Sequence, residues 1–261
     1  MRSLSIGATG MLAQQLNVET ISNNIANSTT TGFKRQRAEF HDLLYQNMRR
    51  VGSTSSDAGT IVPSGIQVGA GVRPSAIYRI NEQGNMTVTD NPLDIAINGQ
   101  GYFQITMPSG ETAYTRAGEF QVNAEGTLVT PDGYQVAPGI TIPAEAVDVT
   151  INSSGVVQVK LQGQVEPSTV GQLQLATFSN EAGLEAIGDN LLLETPASGP
   201  AVQGTPGAEG FGSLLQGALE TSNVNIVSEI TNLITAQRAY EMNSKVIRTT
   251  DEMMQTVSQL R

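Results

Sequence analysis

The chain has 261 residues, enough for one large domain or two modest ones, and carries 14 Lys/Arg against 24 Asp/Glu for a net charge of −10. It has no cysteine and a single histidine, so disulfides and thiolate metal sites are excluded and nucleophilic triads lack material. The charge is uneven: residues 1–50 hold six basic against three acidic side chains, residues 51–221 four against seventeen, and residues 222–261 four of each; an acidic middle argues against nucleic acid and anionic membranes as partners.

Leu4, Met11, Val18 and Ile25 recur every seven residues, and Ala8, Leu12, Leu16 and Ile21 widen that stripe. The pattern predicts an amphipathic helix over about the first 25 residues. It should stop between Asn27 and Gly32, where Ser28 to Thr31 compete for backbone hydrogen bonds and Gly32 can take the left-handed conformation. The basic cluster Lys34, Arg35 and Arg37 that follows fits two readings, a charge-capped helix end or a contact with an acidic neighbour. Glu39 to Met48 is a short apolar-periodic piece holding His41 beside Glu39 and Asp42, a setting that suits a surface or core histidine better than a catalyst. Gly52 to Pro63, rich in Gly, Ser and Thr, reads as an extended linker.

From Ile66 to about Leu193 the pattern changes to short β-type runs. Candidate strands are Met86–Thr89, Leu93–Asn98, Tyr102–Met107, Ala113–Arg116, Glu119–Asn123, Tyr134–Ala137, Val147–Ile151, Val156–Leu161 and Leu173–Phe178. Turn residues such as Pro108-Ser109-Gly110 and Pro131-Asp132-Gly133 separate them, and turns every ~8–12 residues indicate a mostly antiparallel all-β body. Ala197 to Gly212 reads as a second loop.

The last forty residues, Ser222 to Arg261, contain neither Pro nor Gly. Ile226, Leu233, Tyr240, Ile247 and Met254 form one heptad column, and Ala239, Val246, Met253 and Leu260 form its neighbour. Two such columns predict a helix of roughly 60 Å packed along other helices. The fold class is therefore α+β, with long N- and C-terminal helices in a discontinuous coiled-coil domain and a central antiparallel β body. The expected boundaries are 1–45 with 215–261 for the helices, 46–85 for an extended connector, and 86–214 for the β body. The stripes alone fit either the core helices of an ordinary α+β domain or surfaces for another subunit.

The sequence offers no credible active site, metal site or cofactor site. Gly69-Ala70-Gly71 lacks the third glycine of a dinucleotide fingerprint, Pro74 standing in its place. Asp90 and Asp94 flank an Asn91-Pro92 turn, and Asn152-Ser153-Ser154 is a formal sequon only. No 18-residue apolar run marks a membrane span. Gln14, Gln15, Asn17 and Glu19 interrupt what a secretory signal would need as an apolar core.

Residues 20–35, TISNNIANSTTTGFKR, resemble the N-terminal signature of the flagellar rod and hook axial family, with Ala26, Asn27, Thr31, Gly32, Phe33 and Lys34 at the matching positions. Residues 222–247 resemble its C-terminal signature through Ser222, Asn223, Val224, Asn225, Gln237, Arg238, Ala239, Tyr240 and Asn243. Phe40–Gln46, Pro63–Pro74 and the run from Asp94 to Arg116 are similar to the distal-rod members of that family. Thr31 departs from the Pro or Asn that many members carry there, which leaves the helix stop to Gly32.

The resemblance implies a structural subunit, without enzymatic activity, that self-assembles into a rigid hollow helical driveshaft in the flagellar basal body. Terminal helices of many copies would form the inner tube, with Leu4, Met11, Val18, Ile25, Ile226, Leu233, Tyr240, Val246, Ile247, Met253, Met254 and Leu260 at subunit interfaces. Implied partners are further copies, proximal rod proteins, the hook protein, the surrounding P- and L-ring bushings and the flagellar export apparatus. The implied location runs from periplasm to outer membrane, reached without a cleaved signal and without membrane insertion. A proximal rod or hook-like subunit, a monomeric binding module, and a hydrolase built on scattered carboxylates are the competing readings.

Overall fold

The computed structural model describes residues 2–50, 64–163 and 166–259, so the 52–63 linker and Leu260 lie outside the described residues. Within it, the chain divides into two compact units: Met1–Ile25, Gln36–Tyr78 and Asn225–Arg261 in the first, Ala26–Arg35 and Arg79–Val224 in the second.

The first unit contains two long helices, α1 (Arg2–Ala26, 25 residues) and α2 (Ile226–Gln259, 34 residues). At 1.5 Å per residue α2 is about 51 Å long. Asn225 caps it, its Oδ1 accepting from the Ser228 N–H at 3.1 Å and its carbonyl from the Glu229 N–H at 3.0 Å; these satisfy donors that a helix start leaves orphaned. The 39–48 piece folds as strand. Gln36–Asp42 pairs with Val72–Arg79, and Tyr45–Arg49 pairs antiparallel with Ile66–Gly69. Leu44, Tyr45, Met48 and Ile66 are exposed on this ribbon.

The second unit is the expected antiparallel β body. Its largest sheet is nine-stranded, with Tyr102–Thr106 central between Thr112–Thr115 and Gln135–Val136. Phe103 lies opposite Thr115 on one strand and Leu175 on another. A three-stranded sheet of Ala146–Ile151, Val156–Leu161 and Ser168–Gln172 packs its inward side chains on the same core. Period-two alternation is visible in Val157 and Val159, which are buried. Ile95, Ile97, Phe103, Ile105, Leu173 and Leu175 are fully enclosed, and Phe103 meets Phe120 edge-to-face with ring centroids 5.0 Å apart. A smaller cluster on the opposite sheet face joins Tyr102, Tyr114 and Phe178.

Two strands fall where the sequence indicated only the approach to the terminal helix. Ser213–Gln216 pairs with Ile95–Asn98, and Ala218–Glu220 pairs with Met86–Val88. The β body therefore continues to Val224, and it also takes in the stretch Ala26–Arg35 that follows α1.

Candidate functional site

In the first unit the seam between α1 and α2 is made mostly by small and polar residues, joined by Ile21 and Ile247. On α1 the buried positions are Gly7, Ala13, Thr20, Ile21 and Asn24; on α2 they are Glu229, Ala236 and Thr250. A Cβ on Gly7 would stand 2.9 Å from Ile247 Cγ1, and one on Gly10 would stand 2.8 Å from Asn243 Nδ2. The helix backbones thus approach closely enough to leave no room for larger residues.

Closing the seam this way leaves much of the apolar surface outside. Of the columns read from the sequence, Ile226, Tyr240, Val246, Met253 and Met254 are exposed, whereas Leu4, Met11, Val18, Ile25, Leu233 and Ile247 are half-buried. Leu12 is 65% exposed, Val227 75% and Met253 60%. Ile230, Ile234 and Met242 add to the same exposed set. A groove of about 420 Å³ runs beside the seam, lined by Gln15, Val18, Gln237, Tyr240 and Glu241. Side chains of this size are rarely exposed in such numbers on a monomer.

The signature residues separate into two groups. Gln237, Arg238 and Tyr240 stand on the exposed surface of α2, and Asn243 sits in the seam against Gly10. Gly32, Lys34, Ser222 and Asn223 are instead partners inside the β body. Gly32 takes φ +69° and donates its N–H to the Glu220 carbonyl at 2.8 Å. A Cβ there would lie 2.8 Å from the Ala117 nitrogen, so glycine is required twice over, by conformation and by space. Asn223 Oδ1 accepts from the Arg35 N–H at 2.7 Å, and its Nδ2 donates to the carbonyls of Ile80 and Glu82 at 2.8 and 3.0 Å. The hydroxyl of Thr31 donates to Glu119 and its carbonyl accepts from Asn190 at 3.1 Å. Phe33 is half-buried and Ala26 exposed.

At the centre of this cluster is Glu220, only 1% exposed. Its carboxylate accepts from Lys34 Nζ and Arg116 Nε, both at 2.6 Å, and from the Gly84 N–H at 2.8 Å. Arg116 also donates to the carbonyls of Gly101, Gly99 and Ile97, and Lys34 donates also to the Glu82 carbonyl. Burial alone would raise the Glu220 carboxyl, but Arg116 and Lys34 outweigh it and hold it below the usual carboxylate range. Burial lowers the Lys34 ammonium, with Glu220 opposing.

Lys34 and Glu220 are 186 positions apart in sequence, and neither column counting nor turn chemistry pairs them. The seam did carry a signal: Glu229, Ala236, Asn243 and Thr250 recur every seven residues, but a column of small and polar residues does not register as hydrophobic periodicity. Among the described residues, no group of three or more His, Asp or Glu side chains could hold a metal ion, and no helix is long and apolar enough to cross a membrane.

Three family models match the chain: "Flagella basal body rod protein" over residues 4–34, "Flagellar hook protein FlgE/F/G D1 domain" over 96–159, and "Flagellar basal body rod FlgEFG protein C-terminal" over 215–260. The chain is 66% identical to the flagellar basal-body rod protein FlgG of Caulobacter vibrioides, with all of both chains aligned. It is 48% identical to that of Borreliella burgdorferi, over 100% of this chain and 99% of the relative. Against the flagellar hook-basal body complex protein FlhP of Bacillus subtilis it is 30% identical, again over the full length of both. The two signature regions and the β body between them are thus matched along the whole chain, and the chain belongs to the flagellar basal-body rod protein family, as a structural subunit of the distal rod.

Proposed function

We propose that the exposed columns of α1 and α2 are the surfaces by which copies of this chain polymerise into a rigid hollow shaft that transmits torque. The supporting observation is the composition of the seam. The two helices of one chain close mainly on glycine, alanine and polar residues, with Ile21 and Ile247, and leave Leu12, Ile226, Val227, Ile230, Tyr240, Val246 and Met253 exposed for other helices. Burying a side chain of this kind stabilises by about 1.5–3 kcal/mol, and several per copy suffice for cooperative assembly. The closed seam by itself would equally suit a monomer whose helices pack on each other; the apolar surface left over favours the polymer.

In this reading the half-buried Leu4, Met11, Val18, Ile25, Leu233 and Ile247 and the exposed Met254 contribute to the same interfaces. The β body makes lateral contacts and turns inside the P- and L-ring bushings, where its acidic surface resists adhesion. Proximal rod proteins and the hook protein cap the shaft at its two ends. The subunit travels through the flagellar export apparatus, spans periplasm to outer membrane once assembled, and performs no enzymatic step.

Replacing Tyr240 by Asp tests the reading, since a charge placed between helices of neighbouring copies is not compensated. The expected result is a soluble protein with an intact β body that sediments as a monomer at concentrations where the native chain forms large species. Polymer formation equal to the native chain would remove the interface assignment.

A further inference from the structure

The α1–α2 seam keeps one antiparallel alignment along its length. Gly7 meets Ile247, Gly10 meets Asn243 and Asn24 meets Glu229. From the first of these contacts to the last, α1 advances 17 residues while α2 retreats 18.

Packing alone selects this alignment poorly. If α2 slid by one heptad, Thr250 would replace Asn243 opposite Gly10, Met254 would replace Ile247 opposite Gly7, and Ala236 would replace Glu229 opposite Asn24. At the two glycine contacts Thr would follow Asn and Met would follow Ile, with little change in volume. The opposite slide would require a residue before Ile226, where α2 begins. One alternative alignment is therefore open; it would also bring Asn243 into the place of buried Ala236, but the replacement opposite Asn24 is the one that takes an acceptor from a hydrogen-bonded donor.

At that position the chemistry is not interchangeable. Asn24 is 1% exposed and Glu229 3%. The Gln36 N–H donates to Asn24 Oδ1 at 2.8 Å, and Asn24 Nδ2 donates to the Gln36 carbonyl at 2.8 Å. This double contact settles which end of the amide is which, and it directs the remaining amide proton at Glu229 Oε2, 3.1 Å away. In the slipped alignment the methyl of Ala236 would face that proton, leaving a buried donor without an acceptor.

We propose that Asn24 and Glu229 form a register key, a buried polar pair that selects one of two heptad alignments of α1 and α2. Single buried polar residues set alignment in coiled coils by the same reasoning. Resting on the proposed polymer, the key would also set the height at which each copy offers its apolar columns to the next, because a slip of one heptad displaces α2 by about 10 Å.

The absence of native cysteine makes the test direct. Full-length chains carrying Gly10→Cys with Asn243→Cys report the observed alignment, and Gly10→Cys with Thr250→Cys report the slipped one. Each pair is placed in three backgrounds: native Glu229, Glu229→Gln and Glu229→Leu. After oxidation under dilute conditions, intrachain cross-links are quantified on non-reducing gels, and the ratio of slipped to observed product is compared between backgrounds. The observed product should dominate with Glu229 and with Gln, whose amide oxygen can still accept. With Leu the ratio should rise at least tenfold. A ratio in the Leu background that stays within about twofold of the native one would overturn the proposal. So would loss of both products with Leu, since the pair would then hold the helices together rather than select their alignment, and so would a Gln background that behaves like Leu.

Discussion

Replacing Glu220 by Gln removes one negative charge from a site that holds two positive ones. The change conserves volume and keeps one acceptor, but it leaves Lys34 and Arg116 buried with no anion between them; their side chains are 7% and 9% exposed. Breaking a buried ion pair by removing one partner costs about 3–5 kcal/mol. Arg116 retains its three carbonyl partners and Lys34 its one, which places the expected loss near the lower figure, about 3 kcal/mol. For a body of this size the urea dependence is about 2 kcal/mol per molar, so the midpoint should fall by about 1.5 M. The chain has no tryptophan, and near-ultraviolet circular dichroism of the buried Tyr102 and Tyr114 reports the β body selectively.

The same perturbation has a pH signature. The Glu220 carboxyl lies below its ordinary value of 4.5 in the folded chain, so the folded state binds its proton less readily than the unfolded one. Its contribution is therefore complete above about 4.5 and is lost as pH falls through the lower folded value. The gap between native and Glu220→Gln midpoints should be widest near neutrality and narrow at acid pH. A shift below about 0.5 M at pH 7, or a gap that stays constant on acidification, would refute the reasoning.

Other substitutions divide between the two units. Gly32→Ala forces an L side chain into φ +69° and against the Ala117 backbone; thermal denaturation should show a loss of about 2–4 kcal/mol. Gly7→Leu cannot be accommodated opposite Ile247 and should abolish assembly, seen by sedimentation, while leaving the near-ultraviolet spectrum of the β body unchanged. Ile247→Asp should do the same by a different route, placing a carboxylate in the half-buried seam beside Gly7. Asn225→Ala removes the cap of α2 and should lower helix content measurably, at a cost of about 1 kcal/mol.

Much of this architecture was legible in the sequence. α1 ends at Ala26, beside the Asn27–Thr31 stretch where side chains compete with the backbone. The strands Met86–Val88, Tyr102–Thr106 and Val156–Leu161 coincide with runs of alternating pattern between turn residues. What escaped reading was set by distance and by polarity. Ala218–Glu220 forms a strand because Met86–Val88 supplies its hydrogen bonds from far upstream, and three residues carry no period of their own. The strands Gln36–Asp42 and Tyr45–Arg49 have mostly exposed or half-exposed side chains, so no buried face imposes alternation on them. The heptad columns pick out apolar side chains, yet the contacts between the two helices of one chain include Gly7, Gly10 and Asn24, which no apolar column contains. Hydrophobicity locates surfaces that want cover; it does not say which of them a chain covers with itself.

Sedimentation velocity over a concentration series, with the native chain beside a Tyr240→Asp, Val246→Asp, Met253→Asp variant, tests the claim that the exposed helix columns join copies of this chain. All three positions are exposed in the single subunit, so the substitutions leave its own seam and β body untouched. The native chain should grow into large species with rising concentration, and the variant should remain a monomer with a native near-ultraviolet spectrum. Equal growth of the two would place the cohesive surface elsewhere on the subunit.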